Sequence, residues 1–102
     1  MKDILNFVGL MNRAGALITG TELVLNGVRS HKVKMVLIDK SVSENTLKKV
    51  TDKCKFYHVP YEVIQDSQGL GHAIGNQSRK VIGITEPKFA KALKEKLDNL
   101  SK

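Results

Sequence analysis

The run Val33–Asp39, VKMVLID, constrains the fold of this chain more than any other segment. Its four consecutive apolar residues, Met35 to Ile38, leave no polar face, so a strand here needs cover on both sides. The flanking sequence supplies helices to provide it. Residues 2–14 repeat apolar side chains at Ile4, Leu5, Val8 and Met11, the spacing of one helical face. Asp3 suits the positive first turn, and Gly15 is placed to end that helix with positive φ. Ala16–Thr19 reads as a short strand. Thr19 and Glu22 have capping-box spacing, which predicts a second helix from near Gly20 to about Ser30.

Beyond the central strand the alternation continues. Ser41 and Glu44 form another S-x-x-E box, ahead of a helix whose apolar stripe holds Leu47, Val50 and Cys54. Val59–Gln65 predicts a strand, with Pro60 near its start, where a missing amide hydrogen does least harm. Asp66 or Ser67 is expected to cap a short helix through about Ile74. Lys80–Thr85 is the last strand, and Pro87 opens a closing helix bearing Phe89, Ala90, Leu93 and Leu97. The expected fold is α/β: a three-layer α/β/α sandwich around one mixed four-stranded sheet, in a single domain over residues 1–102. Asn99–Lys102 are expected to fray.

Charge narrows the function classes. Seventeen Lys and Arg against ten Asp and Glu give a formal charge of +7, a field attractive to polyanions, although a basic surface also serves solubility. The one cysteine excludes an intramolecular disulfide. No N-terminal segment has the ordered parts of a signal peptide, and no apolar run approaches the ~18–20 residues of a membrane span. No membrane partner is expected, and cytoplasm is the default compartment.

The chemistry-bearing clusters are few. Gly69, Gly71 and Gly75 follow a strand, but a dinucleotide fingerprint would need its third glycine at Ile74. Cys54 and His58 stand four apart on the predicted helix, yet a zinc site needs three or four ligands. Cys54 falls on the apolar stripe and reads as a buried, inert thiol, with His58 at the helix C-terminus. The carboxylates are scattered among lysines. No metal, cofactor or catalytic group is expected.

Two segments suit a polyanion. In Leu70–Glu86, LGHAIGNQSRKVIGITE, a glycine-punctuated helix leads into a polar loop with Arg79 and Lys80 and then an apolar strand. At the other segment, Gly20-Thr21-Glu22 offers helix-terminal amides for phosphate oxygens, a hydroxyl, and a carboxylate that can accept from base amino groups. Asn26 lies one turn further along the same face. If both segments share a sheet edge, they form one polar surface flanked by Arg13, Arg29, Lys32 and Lys40. A capped helix with no further role is the plain alternative for Gly20–Asn26.

Gly20-Thr21 opening a helix, the strand Val33–Asp39, and Leu70-Gly71-His72-Ala73-Ile74-Gly75 before the last strand resemble the kink-turn RNA-binding ribosomal protein family. That family includes the L-seven-Ae and L-thirty-e types. FVGLMNRAGALITG and KKVTDKCKFYHVPY look closer still to its bacterial YlxQ branch. The resemblance spans nearly the whole chain. It implies a non-enzymatic protein that reads tandem G·A pairs of a bent RNA from the second helix and covers the flipped-out nucleotide with the loop before the last strand.

By position, the implied RNA-binding residues are Gly20, Thr21, Glu22 and Asn26, with Gly75, Asn76, Gln77, Ser78, Arg79 and Lys80 in the covering loop. The charges of Arg29, Lys32 and Lys40 add to them. Where the family usually has Asn-Glu or Lys-Gln followed by a lysine, this chain has Glu22-Leu23 and Asn26, displacing the acceptor by about 100° around the helix. The expected partner is structured RNA, kink-turn-like and including ribosomal RNA, alongside ribosomal or translation proteins. The rival expectation is a protein-interaction module that uses the fold without RNA, with Leu23 and Leu25 as its contacts.

Overall fold

The structure, a computed structural model, describes residues 2–65 and 69–100. Its elements follow in the order α1 (Lys2–Arg13), β1 (Leu17–Thr19), α2 (Thr21–Arg29), β2 (Met35–Asp39), α3 (Glu44–Phe56), β3 (Tyr61–Ile64), α4 (Gly69–Ile74), β4 (Val81–Ile84) and α5 (Pro87–Leu100). The expected Asp66 or Ser67 cap lies outside the described residues, as do Ser101 and Lys102. Asn99 is helical, within α5.

The sheet is mixed and four-stranded, in the order β1-β4-β2-β3. β2 pairs parallel with β3 and antiparallel with β4, and β1 pairs antiparallel with β4. All five residues of β2 are buried, as its apolar run requires. Successive side chains along a strand point to opposite faces. Met35 and Leu37 therefore join Ile82, Ile84 and the buried stripes of α1 and α5, including Val8 and Leu93. Val36 and Ile38 join Val24, Val28, Val50 and Cys54 beneath α2 and α3. The sheet thus has an apolar layer on each side. Leu37 and Ile38 are fully buried, so truncating either to Ala should cost about 2–5 kcal/mol.

Two expected caps form differently. Thr19 is the last residue of β1, paired with Ile82, and the residue preceding α2 is Gly20, which makes no side-chain cap. The strand runs through Thr19, the position where the capping box would have to begin. At α3 the cap is Ser43 rather than Ser41, its hydroxyl oxygen accepting from the Thr46 amide at 3.2 Å. Ser41 is engaged elsewhere, donating its amide to the Asp39 carboxylate at 3.0 Å and its hydroxyl to the same oxygen.

Cys54 is fully buried, and desolvation pushes its thiol up to about 11. α3 ends at Phe56, so His58 stands beyond the helix, in a left-handed conformation with φ 59°. The two do not share a helical face. Leu25 is also buried, which leaves Leu23 as the exposed leucine of α2 and removes half of the apolar surface expected of an interaction module.

Candidate nucleic-acid interface

The strand directions decide which segments meet. β1, β2 and β3 all end at the edge of the sheet where β4 begins, since Thr19 pairs with Ile82, Ile38 with Val81, and Asp39 with Ile64. Gly20 therefore emerges beside the loop preceding β4 and donates its amide to the Val81 carbonyl at 2.9 Å. On the other side of β4, the Asp39 amide donates to the Lys80 carbonyl at 2.8 Å. The Gly20 segment and the Ser78–Lys80 segment are thus joined at one sheet edge.

Gly20 has φ 99° and ψ 140°, a conformation essentially confined to glycine. It also leaves room for Arg79: a Cβ at Gly20 would stand 2.6 Å from Arg79 Nη1. The guanidinium therefore lies directly over the start of α2. The first-turn amides of α2 carry no side-chain cap, which leaves an anion-attracting helix end beneath the arginine.

The loop before β4 is held by its own polar groups. The Asn76 side-chain oxygen accepts from the Ser78 amide at 3.2 Å and the Ser78 hydroxyl at 2.7 Å, while the Asn76 amide donates to the Gly71 carbonyl at 2.8 Å. Gly71 permits this fold-back, because a Cβ there would come within 2.7 Å of Gln77 Cα. Of the glycines that superficially suggest a dinucleotide site, Gly71 lets this loop pack closely on α4, while Gly69 makes room for the Asp39 carboxylate.

Asp39 braces the same edge from beneath and is buried. One carboxylate oxygen accepts from the Leu70 amide at 3.0 Å, and the other takes both Ser41 donors. Burial by itself raises its pKa. The hydrogen bonds from the Ser41 hydroxyl and the Leu70 and Ser41 amides, with the Lys80 charge, outweigh that and hold it below the usual carboxylate value.

Between these segments lies an open cleft of about 290 Å³. Gly20, Thr21, Ser78, Arg79 and Lys80 form one wall, and Ser41, Val42, Ser43 and Thr46 the other. A small-molecule site is typically a deep, mostly apolar pocket of ~300–1,000 Å³. This cleft is shallow, polar and basic, which suits a sugar-phosphate backbone resting across it. Among the described residues no group of three or more His, Cys, Asp or Glu is placed to hold a metal ion. No helix among them is long and apolar enough to cross a membrane.

The structure brings Gly20, Thr21, Ser78, Arg79 and Lys80 together, and Lys40 leaves β2 at the same edge, its amide bonded to the Ile64 carbonyl at 3.1 Å. Gly75, Asn76 and Gln77 form the supporting turn and lie outside the cleft lining. Glu22 and Asn26 are exposed on α2, and the Glu22 carboxylate lies 3.0 Å from Lys49 Nζ of α3. Arg29 and Lys32 do not join this surface. They follow α2 to its far end, where Lys34 donates its amide to the Ile84 carbonyl at the exit of β4. Arg13 likewise precedes the start of β1, at that opposite edge. The expected flanking of one surface by all four cations is corrected accordingly: α2 runs the depth of the sheet and separates Arg29 from Gly20.

Ser41, Val42, Ser43 and Thr46 were not anticipated in the site. Their signal was the largely polar run Asp39–Ser43, broken only by Val42, at the exit of the central strand. That run reads locally as a helix cap, and its place opposite Gly20 depends on the pairing of β2 with β4.

Comparison with known proteins adds a separate line of observation. Residues 2–94 match the ribosomal protein L7Ae/L30e/S12e/Gadd45 family. The chain is similar to RNA-binding protein YlxQ of Bacillus subtilis (strain 168), 42% identical over 91 residues that cover 89% of this chain and 91% of the relative. It is 43% identical to RNA-binding protein YlxQ of Enterococcus faecium over 95 residues, covering 92% and 90% of the two chains. Among solved structures, a Bacillus halodurans protein of unknown function superposes with a TM-score of 0.87 at 37% identity, covering 93% of this chain and 96% of that one. A Giardia lamblia 15.5kD RNA-binding protein shares the fold, with a TM-score of 0.78 at 22% identity, covering 92% of this chain and 81% of its own.

Proposed function

The chain belongs to the ribosomal protein L7Ae/L30e/S12e/Gadd45 family, and on that footing we propose that it is a non-enzymatic protein that binds structured RNA across the Gly20–Lys80 cleft. The observation that carries this reading is the seating of Arg79 over the uncapped start of α2, with Lys80 beside it. A phosphate there meets backbone donors and fixed positive charge together. Relatives named as RNA-binding proteins support RNA rather than a protein-only module, and the burial of Leu25 weakens the rival further.

The RNA is proposed to be bent, of the kink-turn kind and including ribosomal RNA. The cleft sits at a sheet edge where three elements converge, and the deep groove of a regular RNA helix is closed to side chains. Thr21 and the α2 amides hold the backbone; Arg79, Lys80 and Lys40 neutralise phosphates; Glu22 and Asn26, exposed along α2, face base edges. Lys49 holds the Glu22 carboxylate and offsets its repulsion of phosphate. Ribosomal or translation proteins as further partners, and a cytoplasmic location, accord with such an RNA.

Gel-shift of a kink-turn RNA against a base-paired control of equal length tests the proposal. The bent RNA should bind more tightly, and Glu22→Ala should narrow the difference. Equal affinity for the two RNAs would reject recognition of the bend.

A further inference from the structure

At the far end of α2 and α3, three aromatic rings form a contiguous row. Phe56 and Tyr57 meet edge-to-face with centroids 4.8 Å apart, and Tyr57 meets His31 in the same manner at 5.9 Å. Phe56 is 73% exposed, the largest exposure among the large apolar side chains of the described residues. The turns that place these rings are unusual. His31, within the row, and His58, which follows Tyr57 in sequence, are the non-glycine residues of positive φ among the described residues, at 62° and 59°.

Cations accompany His31. Lys34 Nζ lies 2.7 Å from the His31 carbonyl, and Arg29 and Lys32 are exposed on either side of His31 in sequence. Beside Phe56, an open groove of about 520 Å³ is lined by Lys49, Asp52, Lys53, Phe56 and Tyr57. Its charged lining is Lys49, which pairs with Glu22, together with Asp52 and Lys53. The other exposed large apolar residues, Leu10, Leu23 and Leu100, lie on α1, the first turn of α2 and the end of α5, away from this groove. Aromatic faces next to positive charge suit stacked bases with their phosphates.

One ion pair links the groove to the helix that borders the RNA cleft. Lys49, which lines the groove, is the residue bonded to Glu22 in the first turn of α2. From there Glu22, Asn26 and Arg29 form an exposed stripe down α2. The nine residues of α2 span about 13 Å, roughly four stacked nucleotides at about 3.4 Å each.

We infer that Phe56, Tyr57 and His31 form a second RNA site, a stacking platform for unpaired nucleotides whose phosphates meet Lys53, Arg29 and Lys32. This gives Arg29 and Lys32 an RNA contact at their own end of the molecule. The platform adds a site to the proposed function and is tested independently of the cleft.

Fluorescence anisotropy with a labelled oligouridylate octamer reads the platform, and a blunt-ended kink-turn RNA without unpaired tails reads the cleft. Phe56→Ala should weaken octamer binding about 5- to 150-fold, the range for loss of one base–aromatic stack. Phe56→Tyr, which keeps the ring, should stay within about threefold of the original affinity. Lys53→Ala should lower the salt dependence of octamer binding by about 0.7 in log–log slope. Circular dichroism should be unchanged in all three, and the blunt RNA should bind Phe56→Ala as it binds the original protein. Equal octamer affinity in Phe56→Ala, or equal loss in Phe56→Tyr, would overturn the inference. So would a concentration-dependent dimer that Phe56→Ala dissolves without changing octamer affinity, because a second copy would then cover the face. The octamer has no bend, so its result decides the platform whatever the kink-turn RNA does at the cleft.

Discussion

Gly20→Ala separates two physical effects that meet at one position. The first is backbone strain. With φ 99° and ψ 140°, Gly20 occupies a region that disfavours an L side chain by about 1–3 kcal/mol. For a domain of this size, that corresponds to a melting temperature lower by roughly 5–20 °C. The second effect is steric: the new Cβ would stand 2.6 Å from Arg79 Nη1. That atom is the tip of a flexible exposed side chain, so it swings aside at little cost to stability but leaves its place over α2. Gly20→Ala should therefore lose stability through the backbone and RNA affinity through Arg79.

A double-mutant cycle with Arg79→Ala distinguishes the two. In urea unfolding, Gly20→Ala should cost the same in either background to within about 0.5 kcal/mol, because removing the arginine does not relax φ. In RNA binding the two changes should be strongly non-additive, since each removes the same guanidinium. Refutation would be a Gly20→Ala protein with an unchanged urea midpoint, or a stability loss that Arg79→Ala repairs. Additive losses in RNA affinity would show that Arg79 does not act from above Gly20.

Three further outcomes follow from the same geometry. Lys80→Ala should lower the log–log salt slope of RNA binding by about 0.7–0.9 if the lysine neutralises one phosphate, and an unchanged slope would remove it from the interface. Asp39 has a depressed pKa in the folded state, so its contribution to stability is full above the unfolded carboxylate value and is lost as pH falls through the folded one. Asp39→Asn should cost about 1–3 kcal/mol at pH 7, and urea titrations should find that difference shrinking below about pH 4; a constant gap would contradict the assignment. The Cys54 thiol, pushed up to about 11 and fully buried, should be only about 0.1% thiolate at pH 8 and inert to a disulfide reagent until denaturant unfolds the chain.

The layers of this fold were legible because the strongest signals were local and redundant. β2 declared its two-sided burial through four consecutive apolar residues, and α1 and α5 declared their inner faces through helical spacing. Caps were less legible. Thr19 and Ser41 satisfy the capping pattern, but strand pairing claims Thr19, and Asp39 claims Ser41. The meeting of Gly20 with Arg79 and Lys80 depends on β1 and β2 both pairing with β4, a non-local fact that spacing cannot supply. Arg29 and Lys32 show the converse: being near Asn26 in sequence places them farther from the cleft with each helical turn. The Phe56–Tyr57–His31 row was invisible in sequence, because the meeting of the ends of α2 and α3 brings His31 against Tyr57.

The most direct test of the central claim is amide chemical-shift mapping of the isotope-labelled protein during titration with a kink-turn RNA lacking unpaired tails. The largest changes should fall on Gly20, Thr21, Ser41–Ser43 and Ser78–Val81, with α5 and the outer face of α1 silent. Changes centred on α5 or α1, with the Gly20–Lys80 cleft unmoved, would place RNA elsewhere and contradict the account.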